Sequence, residues 1–164
     1  AAEVLAPSPA LPDKLVPVDR MTEADADTER DFTLDGFVIN QEAMSMERID
    51  EVVAVGDTEI WNVRNGMSMP HNFHVHDVQF QVLSIDGAEP PAELAGWKDT
   101  IFLRPQVRYR LIMQFTDYSD PEVPYLYHCH PLWHEDQGMM GQFVVVEPGE
   151  EKNVPAQLPG THQH

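Results

Sequence analysis

The chain has 164 residues with 14 prolines and 9 glycines, so it is sized for one domain with a real core and punctuated for short strands and loops rather than long helices. Its formal net charge of −18 excludes binding to nucleic acid or an anionic membrane through bulk electrostatics and reads mainly as a solvated surface. A single cysteine excludes an internal disulfide, and no run approaches the roughly 18 apolar residues that a membrane-spanning helix needs.

In chain order, residues 1–18 are rich in Pro and Ala (Pro7, Pro9, Pro12, Pro17) and read as an extended linker or an edge segment. No basic segment followed by an apolar run opens the chain, so no secretory leader is expected there, and the missing initiator Met suggests a mature form or a fragment. Met21 to Arg30 is acidic and nearly free of apolar residues, which predicts a solvated loop. Asp31 to Ile39 is the first strand expected, with a break at Gly36. Gln41 to Arg48, carrying Met44 and Met46, reads as a short helix or a loop. Strands follow at Val52 to Val55 and Glu59 to Arg64, with turns at Gly56-Asp57 and Asn65-Gly66. Val78 to Ile85 is another strand, closed by Asp86-Gly87. Ala88 to Gly96 is a Pro-bearing loop with room for one helical turn. Thr100 to Leu103, Val107 to Phe115, Tyr125 to His130 and Gly141 to Glu147 complete the strands, with a loop over Asp117 to Pro124. About eight short strands with close turns and little helix predict an all-β Greek-key sandwich or barrel. The expected organisation is a linker and acidic loop over 1–30, the β domain over 31–148 and a polar tail over 149–164.

Six of the eight histidines and the only cysteine fall in two stretches, His71-Asn72-Phe73-His74-Val75-His76 and His128 to Met140. Packing gives histidine no reason to cluster this way, and metal binding does. Side chains alternate faces along a strand. His128 and His130 therefore point one way and Cys129 the other. His74 and His76 share a face, and His71 lies an odd number of positions from His74. This sorts the residues into two sites. One joins Cys129 and His71, and the loop after Pro131 can fold His134 and Met139 back over the thiolate. Two histidines, a cysteine and a weak axial methionine form the blue-copper electron-transfer set, whereas zinc more often takes paired cysteines or an open water position. The other site joins the pairs His74/His76 and His128/His130, which cannot by themselves saturate a larger cluster. Cys129 is bonded through the backbone to His128 and His130, so an electron entering at the thiolate has a short covalent path to the second site.

The pattern His-x-x-His-x-His plus His-Cys-His-x-x-x-His-x-x-x-Gly-Met resembles the C-terminal cupredoxin domain of multicopper oxidases, bacterial laccase-like and cuprous-oxidase-like enzymes in particular. Gln79-Phe80, Val82-Leu83-Ser84 and Gly96-Trp97-Lys98-Asp99-Thr100 match as well, and the resemblance covers roughly residues 31–147. It implies a cupredoxin-like fold. It also implies that His71, Cys129, His134 and Met139 bind a type 1 copper, His74 a type 2 copper, and His76, His128 and His130 a type 3 pair. In the family half of the trinuclear cluster's histidines come from this domain and half from an N-terminal cupredoxin domain, so this chain supplies half a site. The family usually has Pro after the first histidine and Gly after the third, where this sequence has Asn72 and Asp77, and Pro131 replaces an apolar residue or Asn. Every ligand position is retained.

The resemblance implies that Glu135, next to His134, feeds protons to reduced oxygen, as a positioned carboxylate can; the alternative is a surface acid. Asp99 either hydrogen-bonds a ligand imidazole or serves a turn. The pairs Met44/Met46 and Met67/Met69 either pass cuprous ions or fill space. His162 and His164 read as adventitious ligands. The expected function is that of the last cupredoxin domain of a multicopper oxidase, using O2 and a phenolic or metal-ion reductant, extracytoplasmic on the family resemblance alone. The alternative is a free-standing blue-copper electron carrier, for which His74, His76, His128 and His130 have no use. A copper-storage or chaperone role fits the Met content but not the enclosed Cys129 set.

Overall fold

A computed structural model describes residues 10 and 16–158. It holds ten strands in two five-stranded sheets, rather than about eight. The first sheet has the order β2(Val38–Ile39), β1(Thr28–Asp35), β4(Thr58–Asn65), β8(Arg108–Gln114), β6(Phe80–Ile85). The second has β3(Glu51–Ala54), β10(Met140–Val146), β9(Tyr125–His128), β5(His71–Val75), β7(Thr100–Leu103). This is the cupredoxin-like β-sandwich. The β1–β4 and β3–β10 pairs are parallel, which joins strands distant in sequence.

The inner faces meet on Trp61, which is fully buried. Its ring centroid lies 4.6 Å from Phe32, 5.7 Å from Tyr127 and 5.7 Å from Phe143. Each such aromatic buries about 150–250 Å², worth roughly 4–6 kcal/mol at about 25 cal/mol per Å². Alternation along β1 buries Phe32 and Leu34 and leaves Asp31, Thr33 and Asp35 exposed. In β10 both faces are covered. Phe143 and Val145 join the main core, while Val144 and Val146 pack with Ile49, Val154 and Leu158.

Several segments depart from the sequence reading. Met21 to Arg30 is not a solvated loop throughout. Glu23–Asp25 forms a 3₁₀ turn and Thr28 already begins β1, because that strand gains a parallel partner in β4. Arg30 is its anchor, contacting Glu59 at 2.7 Å, Glu51 at 2.5 Å and the Val52 carbonyl at 2.7 Å. Gln41 to Arg48 is a loop. Tyr125 to His130 pairs only as far as His128. Residues after Pro131 form a short helix, α1(Leu132–Asp136), where a loop was expected. Part of the polar tail is docked: the Leu158 amide donates to Glu47 at 2.7 Å and the Ile49 amide to Ala156 at 3.0 Å. Most of the Pro-rich opening stretch, and His162 and His164, lie outside the described residues. Among the described residues no helix is long and apolar enough to cross a membrane.

Candidate metal centre

Three neighbouring strands set the centre. Strand β5 runs between β9 and β7, so His74 pairs with His128 on one side and with Thr100 on the other. The alternation of β5 sends His71, Phe73 and Val75 inward and Asn72 and His74 the other way. His71 therefore faces the core side of the sheet, and the His74 face carries His76, His128 and His130 close by.

On the buried side His71, Cys129 and His134 come together. The two Nδ1 atoms are 3.2 Å apart, and Cys129 Sγ lies 3.5 Å from that of His71 and 3.3 Å from that of His134. All three residues are buried. Helix α1 delivers His134: Pro131 fixes its start, and Gly138, at φ +90°, turns the chain back toward β10. Met139 is fully buried just beyond, its carbonyl accepting from the Cys129 amide at 3.0 Å and its amide donating to the His134 carbonyl at 3.2 Å. The exposed Trp133 and the half-buried Phe37 stack around the His134 ring, at 5.6 and 5.3 Å.

Burial pushes the Cys129 thiol up to about 11, against the pull of the Asn72 amide on its sulfur. Burial, with His134 beside it, takes His71 down to about 4, so its ring stays neutral. His71 Nε2 is buried without a partner, so the groups at Nδ1 alone orient that ring. The neutral His71 ring brings no positive charge to the buried thiol, and a metal ion would supply one. The donor set fits a thiophilic metal.

On the other face His74, His76 and His128 form a second group. His76 Nε2 and His128 Nε2 are 3.2 Å apart. The far nitrogens are tied. His74 Nδ1 lies 2.9 Å from the Asp99 carbonyl and 2.8 Å from Thr100 Oγ1, whose proton goes to the Asp99 carboxylate at 3.0 Å. His128 Nδ1 lies 3.3 Å from Glu135 Oε2 and 3.4 Å from the Cys129 carbonyl. Carbonyl and carboxylate oxygens only accept, so each Nδ1 atom is the donor there and Nε2 is the atom that each ring can offer a metal. Burial lowers His76 and His128, helped at His76 by the neighbouring His128 ring and opposed at His128 by Glu135. His130 is exposed and stands outside the tight group, with its ring 5.2 Å from His74 and 5.3 Å from His128.

Asp99 thus meets an imidazole mainly through its backbone oxygen, since its carboxylate is 3.9 Å from His74 Nδ1. Thr100 is a contact that spacing alone did not single out, although it belongs to the Trp97 to Thr100 stretch that carried the resemblance. Met46 is exposed and Met44, Met67 and Met69 are half-buried. An open cleft lined by His74, His76, Asp77, Gln79, Asp99 and Tyr125 borders the histidine face. Burial and the nearby Asp117 raise Asp77 to about 6.

The sequence profile of the multicopper oxidase family matches residues 8–149. A multicopper oxidase of Staphylococcus haemolyticus is 40% identical over 116 residues, covering 68% of this chain and 25% of that protein. The cell division protein FtsP of Escherichia coli is 34% identical over 137 residues, covering 83% of this chain and 28% of its own length. In structure the chain is similar to the laccase-like multicopper oxidase CueO of Ochrobactrum sp., at 33% identity and a TM-score of 0.76 over 84% of this chain and 34% of that one. The McoA multicopper oxidase of Aquifex aeolicus gives a TM-score of 0.74 at 28% identity, over 84% and 33% of the two chains. The chain spans about a quarter of the length of the curated relatives it matches.

Proposed function

The chain belongs to the multicopper oxidase family, and on that premise we propose that it is the electron-accepting domain of an oxidase that couples one-electron oxidation of a reducing substrate to reduction of O2 to water. His71, Cys129, His134 and Met139 would hold a type 1 copper, His74 a type 2 copper, and His76, His128 and His130 their share of a type 3 pair. Bound copper supplies one-electron redox chemistry at the first site and multi-electron reduction of O2 at the second.

The chain's own residues have defined tasks in this reading. The buried set around Cys129 excludes water, which limits reorganisation when charge changes there. Cys129 is linked by one peptide bond to His128 and by another to His130, which gives electrons a covalent route to the second face. Thr100 and the Asp99 carbonyl fix His74 with Nε2 outward, and Glu135 with the Cys129 carbonyl does the same for His128. Glu135 is also the carboxylate nearest to that face through His128 and is our candidate to hold and release protons there. Reduction of O2 to two waters consumes four electrons and four protons, and a phenolic or metal-ion substrate would provide the electrons singly. The Ochrobactrum relative acts on lignin model compounds, which favours the phenolic class.

The observation that carries the reading is that one tripeptide, His128-Cys129-His130, contributes to two metal-type groups on opposite faces of one sheet. Family membership alone does not fix the activity, since relatives include a cell division protein. A free-standing blue-copper carrier would use the Cys129 group and leave the second group without a role. The half-complete ligand set predicts that the missing histidines come from the parent enzyme's N-terminal cupredoxin domain. An extracytoplasmic location belongs to the same proposal, on the family resemblance alone. The test is oxygen uptake with a phenolic reductant. The copper-loaded chain alone should consume none, and uptake should appear when the rest of the parent enzyme is supplied. Full uptake by monomeric chain would refute the half-site.

A further inference from the structure

Two buried carboxamides, Asn65 and Gln142, have no part in the reading above. Asn65, the last residue of β4, is fully buried. Its Nδ2 donates to the Met69 carbonyl at 2.8 Å and to the Leu103 carbonyl at 3.1 Å, and its Oδ1 accepts from the Met67 amide at 2.9 Å. Both donor protons are used and the oxygen is satisfied, although this residue belongs to the opposite sheet. Met69 lies two positions before His71, and Leu103 is the cross-strand partner of His71. One side chain therefore ties down both the approach to His71 and the strand beside it.

Gln142 in β10 is likewise buried. Its Nε2 lies 2.6 Å from the Arg48 carbonyl, 3.2 Å from that of Met46 and 3.3 Å from that of Ser45. The loop so gathered sits on the turn that leads into Met139: the Met44 amide donates to the Gly138 carbonyl at 2.9 Å. A Cβ on Gly138 would come within 3.6 Å of that same amide, so the two segments are in contact. Arg48 reinforces the loop, donating to the Ala43 carbonyl at 3.0 Å and to Asp50 at 2.5 Å. Each carboxamide thus clamps a loop bearing a Met-x-Met pair, one leading into His71 and one covering Gly138-Met139.

We propose that Asn65 and Gln142 are positioning residues for the Cys129 group, Asn65 fixing His71 and Gln142 fixing the turn that carries Met139. The inference rests on reading His71, Cys129, His134 and Met139 as one metal set. Its physical ground is that a carbonyl buried without its donor must find another, so losing either amide moves the loop rather than merely loosening it. Partners that orient ligands typically tune metal affinity on the order of 10–100-fold.

The test compares wild type, Asn65→Ala and Gln142→Ala with a control, Val146→Ala, which thins the separate cluster around Ile49 and removes neither carboxamide. Two quantities are read on chains shown folded by circular dichroism. One is the thiolate absorption band and affinity of the Cu(II)-loaded protein. The other is the rate at which iodoacetamide labels Cys129 in the metal-free protein. We expect both clamp variants to shift or weaken the band, to lose about tenfold or more in affinity, and to label faster, with the control like wild type. Clamp variants that fold yet match wild type in both readouts overturn the proposal, as does a control that changes as much as they do. If the alanine chains do not fold, Asn65→Leu and Gln142→Met, which keep more of the volume and remove the donors, are read by the same criteria. A wild type without a thiolate band defeats the metal reading instead, and the labelling rates still decide the positioning role.

Discussion

Glu135 Oε2 lies 3.3 Å from Nδ1 of His128, although Glu135 sits on α1 beside His134 and His128 ends β9. The helix that delivers one side chain to the buried Cys129 group therefore also buttresses the other group. A displacement of α1 as a whole would reach both.

Replacing that carboxylate separates its two tasks. Glu135→Gln keeps the shape and removes the charge that favours a proton on His128 Nδ1. Metal affinity at the His74/His76/His128 group should fall on the order of tenfold, while the thiolate band of the Cys129 group stays in place. Titration with Zn(II), followed by calorimetry in wild type and variant, checks the first part, and an absorption spectrum with Cu(II) checks the second.

Gly141 faces Tyr127 across β9 and β10. A Cβ there would overlap the Tyr127 ring, which is itself wedged against Phe32 at 5.0 Å and Phe73 at 5.9 Å. Gly141→Ala should cost about 1–3 kcal/mol by overpacking, read as a lower urea midpoint. Because Tyr127 is next to His128 in sequence, the thiolate band should broaden as well. A variant as stable as wild type would mean that the ring can swing aside.

The Arg30 cluster is a stability device. Glu59 is fully buried, held by Arg30 and by the Trp61 indole at 2.7 Å. The carboxylates of Glu59 and Glu51 together raise Arg30 above its ordinary value despite burial. Arg30→Met leaves the Glu59 charge buried and should cost about 3–5 kcal/mol. Urea unfolding measures it. Metal binding by the folded fraction should be unchanged, because the cluster touches no residue of either group.

Much of the centre was legible because strand parity is a strict rule. An odd separation put His71 and His74 on opposite faces, and Cys129 opposite its flanking histidines, and the structure shows that division. Pairing ends at His128 and Pro131 turns the chain, yet the exposed His130 ring still lies 5.2 Å from His74 and 5.3 Å from His128, on the face that parity assigns it. A five-residue helix is too short to show a 3.6-residue period, so α1 was hidden, and with it the contact from Glu135 to His128. The start of β1 was hidden by its acidic composition, since what stabilises Thr28 to Arg30 is a parallel partner about thirty residues away. Asn65 and Gln142 were invisible for another reason. A lone buried amide has no spacing signature, and only the carbonyls around it reveal its role.

The most direct measurement is the visible spectrum and copper content of the chain after loading with Cu(II), in wild type and in Cys129→Ser. The wild type should show an intense blue thiolate band with one copper in the Cys129 group, and the serine variant should fold and lose the band entirely. No band in the wild type, or a band that survives the serine substitution, would contradict the assignment of Cys129, His71 and His134 as a copper site.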